Sequence, residues 1–224
     1  MKEFDNNRLE DAYSHVLNGD IDDAVAIFEK ELENNPDSTH LLMELASLYY
    51  IQGEMTKCIC TYKKVLQLKP GSMFVNYRMG VALYRATHFS KAVEVLNRIV
   101  ESGKRMPMTY IWLGLSYYHL GDEEKSIEAY RKLLELCPDA TMANYYVGIA
   151  LKASGRYEEA LPFFEKLVKE NHRHVSAHYH LGRTYMRTFK YDLAKEEFRK
   201  VLELDPYNNN AQEMFDYISD DHPF

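Results

Sequence analysis

Residues 175–208 read VSAHYHLGRTYMRTFKYDLAKEEFRKVLELDPYN. Counting back from Gly182 in steps of 34 meets Gly148, Gly114, Gly80, Ala46 and Ala12, all small. From Ala194 the same step meets Ala160, Ser126, Ala92, Cys58 and Ala24, again all small. From Phe198 it meets Phe164, Tyr130, Leu96, Tyr62 and Phe28, all large and apolar. From Pro206 it meets His172, Pro138, Lys104, Pro70 and Pro36. Four series that hold one period without an insertion define an internal repeat of six units, starting at residues 5, 39, 73, 107, 141 and 175.

Each unit reads as two helices. In Thr141–Lys152 and Tyr157–Lys169, small and apolar residues recur at three- and four-residue steps, as one buried helical face requires. Ser154-Gly155 lies between them, and Gly permits the left-handed turn that ends a helix. Asn18-Gly19, Gln52-Gly53 and Leu120-Gly121 are the corresponding turns. Second helices end before Pro36, Pro70, Pro138 and Pro206, where proline blocks continuation. No alternating β-type run occurs.

The pattern resembles the tetratricopeptide repeat family, which runs W-x2-L-G-x2-Y, then A, F and P over 34 residues. Leu181-Gly182 with Tyr185, Ala194, Phe198 and Pro206 carries the resemblance, as do Leu113-Gly114, Tyr117, Tyr130 and Pro138. It implies an all-α, right-handed superhelical solenoid of six helix-turn-helix units over residues 5–208, with an inner groove. The small residues then imply close helix approach where Gly148 meets Ala160 and Gly182 meets Ala194. The third unit departs most: Thr87 replaces the turn glycine and Lys104 the proline, with Gly103 and Pro107 expected to reset the chain. The join at Ser102–Met108 is a place either for altered curvature or flexing, or for a different turn at unchanged curvature.

The ends differ from the middle. Unit four presents Tyr110, Leu113 and Tyr117 to its predecessor, whereas unit one has Arg8, Asp11 and His15 there. A polar outer face suits a terminal repeat, so the array is expected to begin here. Met214, Phe215 and Ile218 share one face of an expected capping helix over 209–219, and 220–224 read as a flexible acidic tail.

A second stripe of each first helix lies about half a turn from the packing face. In unit two it collects His40, Met43, Glu44, Ser47, Tyr50 and Ile51. Units three and four give Phe74, Tyr77, Arg78, Val81, Tyr84 and Arg85, then Met108, Ile111, Trp112, Leu115, Tyr118 and His119. Units five and six give Met142, Tyr145, Tyr146, Ile149, Lys152 and Ala153, then Ser176, Tyr179, His180, Arg183, Met186 and Arg187. Seven of these thirty residues are Tyr and four are Met, with the single Trp, a composition suited to contact surfaces and not to a solvated face. Five are Arg or Lys against the one acid Glu44, in a chain of net charge -7. Acidic residues must then concentrate outside, for example Glu158, Glu159, Glu196 and Glu197. Tyr50, Tyr84 and Tyr118 recur at 34 and can instead form a structural ladder.

The expected binding set is Phe74, Tyr77, Arg78, Met108, Ile111, Trp112, Met142, Tyr145, Tyr146, Tyr179, His180, Arg183 and Arg187. It would accept a protein or peptide segment with apolar anchors and acidic flanks. Some family members clamp a C-terminal carboxylate with Lys and Asn on the first two inner faces. Here those places hold Leu9, Tyr13, Met43, Glu44 and Phe74, and Arg78 alone fits, so that mode is disfavoured. Single-stranded RNA is the rival ligand, since Arg and Tyr stack bases, but the acidic chain disfavours nucleic acid. A homo-oligomer formed when the groove takes a neighbour's Met214–Phe224 is a third reading.

Nothing points to catalysis, a cofactor or a metal. His174 and His178 have a ligand-like spacing, but His178 falls on the packing stripe and His180 on the groove stripe, with no acid nearby to complete a set. Cys58 occupies a small core position, and Cys60 and Cys137 complete an odd number of free thiols. No signal peptide and no membrane span is apparent, so a cytoplasmic protein is expected.

Overall fold

The computed structural model describes residues 6–219, and the expected tail at 220–224, with Asp5, lies outside them. Among the described residues the chain is all-α, with thirteen helices and no strand. Two compact units divide between Ser116 and Tyr117.

The first unit carries α1 (Asn6–Asn18), α2 (Ile21–Asn34), α3 (Thr39–Gln52), α4 (Met55–Leu68), α5 (Met73–Arg85), α6 (Phe89–Glu101) and most of α7 (Met108–His119). From α1 to α6, each helix packs on the next. Residues 102–107, with Gly103 at φ 68°, join α6 to α7. The second unit holds the end of α7, then α8 (Glu123–Leu136), α9 (Thr141–Ala153), α10 (Tyr157–Glu170), α11 (Val175–Arg187), α12 (Tyr191–Leu204) and α13 (Asn209–Ser219). Each helix from α8 to α12 packs on its successor. On α13, Ala211 is fully buried, and Phe215 lies beneath Lys195 and Arg199 of α12.

The Phe198 series fills the core. Phe28, Tyr62, Leu96, Tyr130, Phe164 and Phe198 are at most 1% exposed. Burying each such side chain contributes about 2–3 kcal/mol. The glycines of the Gly182 series make room for them. A Cβ on Gly148 would stand 2.7 Å from the Phe164 ring, and one on Gly182 would stand 2.9 Å from the Phe198 ring. On Gly80 it would stand 2.5 Å from Leu96. This corrects the expected partners: the nearest atoms belong to Phe164 and Phe198, not to Ala160 and Ala194. The two alanines are themselves fully buried.

The hairpin turn is left-handed in every unit, at Gly19, Gly53, Thr87, Gly121, Gly155 and Phe189. Thr87 (φ 60°) and Phe189 (φ 59°) adopt it without being glycine. The repeat dictates the geometry, and an L side chain there costs about 1–2 kcal/mol.

Two opposite outcomes follow for stability in urea titrations. Gly182→Ala should destabilise the chain by about 1–3 kcal/mol through overpacking against Phe198. Thr87→Gly should stabilise it by about 0.5–1 kcal/mol, the relieved strain exceeding the added chain entropy.

Candidate functional site

The stripe residues are of two kinds. In the first unit, Phe74 is 54% and Met108 52% exposed. In the second, Met142 is 57% exposed. All three stand at the same place in the repeat, its second residue, at the start of the first helix. Ile111 is buried, so its side chain serves the packing. Trp112 is half-buried: its indole N–H donates to the Tyr77 hydroxyl at 3.1 Å, and its ring meets Tyr84 edge-on. Tyr146 stacks on the buried Tyr130 ring, with centroids 5.2 Å apart.

Three of the five stripe cations lie against tyrosines. Arg78 donates to the Tyr62 and Ser47 hydroxyls and sits over the Tyr50 ring, which also carries Arg85 at 4.5 Å. Arg187 covers Tyr157 at 5.2 Å. Of the expected ladder, Tyr50 is thus capped by arginine and Tyr84 by Trp112, while Tyr118 is 37% exposed.

The other two cations, Lys152 and Arg183, belong to a cluster between α9 and α11. The Lys152 ammonium has only donors, so it donates to His180 Nδ1 at 2.9 Å. His180 Nε2–H then donates to the Tyr145 hydroxyl at 3.2 Å, which fixes the tautomer. Tyr145 also stacks on His174, whose Nδ1 accepts from the Ala177 backbone N–H at the start of α11. Arg183 donates to Tyr179 at 3.4 Å. Burial, then Lys152, Arg183 and His174, pull the His180 pKa down to about 4. Burial and Arg183 lower that of Lys152, and burial, with Tyr146 and Tyr118, raises that of Tyr145.

Two histidine-cluster expectations are corrected. An acid does lie near His178: buried Glu197 of α12 pairs with its Nδ1, and the other ring nitrogen meets the His172 carbonyl. Glu197 is therefore not an outer-surface acid; it is 6% exposed and also bonded to Lys200. Burial alone would raise its pKa, but His178 and Lys200 together hold it below the usual carboxylate value. Glu158, Glu159 and Glu196 are exposed, as expected. Among the described residues no three His, Cys, Asp or Glu side chains are grouped to hold a metal ion. Cys58, Cys60 and Cys137 are free, and burial pushes the Cys58 thiol up to about 11.

Sequence reasoning also missed two features. Tyr49 donates to Glu29, and Tyr185 to Glu165, in the same relation of first helix to the preceding second helix. A cavity of about 600 Å³ lies between α4 and α6, over Met79 and Leu83 of α5; none of the stripe residues lines it.

Sequence profiles described as tetratricopeptide repeat match residues 9–72, 77–141 and 175–208. The chain belongs to the tetratricopeptide repeat family. Residues 142–174, between the matched stretches, supply α9 and α10 and form a hairpin of the same kind. Among solved structures, YrrB, a TPR protein with an unusual peptide-binding site, is 22% identical, with a TM-score of 0.71 over 83% of this chain and 96% of its own. The MamA protein is 21% identical, with a TM-score of 0.71 over 78% of this chain and 96% of its own. Pseudomonas aeruginosa PilF is 17% identical, with a TM-score of 0.73 over 95% and 96%. At these identities the likeness is one of fold. No curated protein sequence matches the chain. No helix among the described residues is long and apolar enough to cross a membrane.

The depressed His180 pKa has a stability consequence. The unfolded chain protonates this ring near 6.5, the folded chain only near 4. Between these values the unfolded state binds more protons, so stability present above pH 6.5 is lost as pH falls, by on the order of 2 kcal/mol. His180→Leu should flatten the slope of unfolding free energy between pH 6.5 and 4.5, whatever it does to the absolute value. An unchanged slope would remove His180 as its source.

Proposed function

We propose that this protein is a non-enzymatic adaptor that binds a segment of a partner protein through the second stripe of its first helices. The observation that carries the reading is the recurring exposed apolar side chain, Phe74, Met108 and Met142, more than half open to solvent in three successive units. A core does not need them, and water does not favour them. A half-buried aromatic follows each within one turn of the same helix: Tyr77, Trp112 and Tyr145. Such residues supply contact area with few rotors to immobilise.

Charge supports a partner with acidic flanks. Helices α5, α7, α9 and α11 contain no Asp or Glu, whereas α8, α10 and α12 carry four acidic residues each. The family membership and the peptide-binding site of YrrB are in keeping with a protein ligand. The free thiols suit a reducing, cytoplasmic setting.

The test is affinity capture with wild type beside a Phe74→Ser/Met108→Ser/Met142→Ser triple variant. All three positions are exposed, so the variant should keep its melting temperature. The expected result is a set of proteins held by wild type and reduced about ten-fold with the variant, a loss of about 1.4 kcal/mol. Equal capture by both overturns the reading. Salt-steep binding of mixed single-stranded RNA would move the assignment to nucleic acid, and concentration-dependent sedimentation lost in the variant would move it to self-association.

A further inference from the structure

The cavity between α4 and α6 opens where the bridges of the other repeats are missing. Tyr49 on α3 donates to Glu29 on α2, and Tyr185 on α11 donates to Glu165 on α10. The same two places hold Leu83 on α5 and Lys63 on α4. Arg156, which caps α10, meets Glu124 of α8 at 3.0 Å, and Lys190, which caps α12, meets Glu158 of α10 at 3.1 Å. Their counterparts here are His88 and Thr56, which form no ion pair. Arg131 of α8 and Glu159 of α10 approach to 3.8 Å. Their counterparts are Lys63 of α4 and Lys91 of α6. Two like charges thus stand where another pair of second helices is joined by opposite ones, and Leu83 has no hydroxyl to reach across.

The space left is about 600 Å³. Buried Ile59, Met79, Leu83 and Val95 form an apolar floor. Exposed Lys63 and Lys91 stand on its two sides. Among the described residues neither lysine pairs with an acid. Glu94, the one acid lining the cavity, is bonded to Arg98 at 2.8 Å. The volume falls within the range of small-molecule sites, about 300–1,000 Å³, and so does the plan of an apolar chamber with a few polar groups. A protein partner would need a wider face, since a stable interface buries about 800 Å² on each side.

We propose that this cavity binds an amphipathic organic anion of the fatty-carboxylate type, its chain on the apolar floor and its charged group between Lys63 and Lys91. Removing the chain from water supplies affinity. The anion also relieves the repulsion between two lysines whose counterparts come within ion-pair distance of each other. It does for Lys63 and Lys91 what Glu159 does for Arg131. The site is independent of the adaptor reading, because no stripe residue lines the cavity.

The experiment is an NMR titration of the full chain labelled with 13C at its methionine methyl groups, the Met79 resonance being assigned with Met79→Leu. The probes are octanoate below its micelle concentration, octanol for the chain without the charge, and acetate for the charge without the chain. A saturable shift of the Met79 methyl is expected with octanoate, about ten-fold weaker binding with octanol and no shift with acetate. Octanoate should also slow alkylation of Cys60 by iodoacetamide, since this free, exposed thiol lines the cavity.

Two variants separate the charge from the chamber. Lys63→Gln/Lys91→Gln should weaken octanoate about ten-fold and leave octanol unchanged. Both lysines are exposed, so this variant should fold as wild type by circular dichroism. Lys63→Glu/Leu83→Tyr restores the bridge seen between Tyr49 and Glu29, and it should fill the chamber and abolish binding of both probes. The site is overturned by the absence of a saturable Met79 shift with octanoate, or by octanol binding as tightly as octanoate. It is overturned equally by wild-type octanoate affinity in either double variant.

Discussion

The fold depends on a glycine in one helix meeting a large side chain in the next. Gly148 faces the Phe164 ring, Gly182 the Phe198 ring and Gly80 the Leu96 side chain, each too close for a methyl group. The distance between the paired helices is therefore fixed by the thickness of a ring or a leucine side chain, and neither partner can change alone. The same pairing holds the turn: once both helices are placed, the linking residue must be left-handed, even when it is Thr87 or Phe189. Residues half a turn away from this contact on the first helices are released from the constraint.

Tyrosine, the most frequent aromatic in the chain, serves several ends that its count does not separate. Tyr62 and Tyr130 are core rings. Tyr49 and Tyr185 are hydrogen-bond donors that tie a first helix to a carboxylate on the preceding second helix; burial, then that bond, pushes their phenols well above the usual value. Tyr50 and Tyr157 are platforms for arginines. Tyr145 and Tyr179 remain on the face where Lys152 and Arg183 have no acid. The sequence-level balance of about five cations to one acid on the stripe thus divides: three cations are held by rings within the chain, and two are not.

The architecture was legible because it repeats. A strict period of 34 averages over six copies, so Thr87 or Lys104 cannot hide the pattern. Contacts made once were not legible. The pairing of His178 with Glu197 crosses a hairpin, and neither residue signals the other; Glu197 follows Glu196 and looks like part of a solvated face. Its adjacency to the core residue Phe198 was the one available sign that this helix edge turns inward. Arg78 was readable as a groove cation, but its capture by Tyr62, Ser47 and Tyr50 depends on three side chains 16 to 31 residues away in sequence. The turn at Phe189 was hidden for a different reason: its side chain argues for a core position, and it is instead 79% exposed.

A repeat protein that binds a segment through repeating positions faces a problem of register. Phe74, Met108 and Met142 present the same kind of exposed apolar side chain at the same place in three repeats, and side chains of one kind do not distinguish one alignment of a partner from another shifted by a repeat. Discrimination needs a feature that occurs once. Lys152 is a feature that occurs once, a half-buried cation in a series otherwise made of Tyr50, Tyr84, Tyr118 and Met186. The penalty for an unmet buried charge exceeds the gain from a met one.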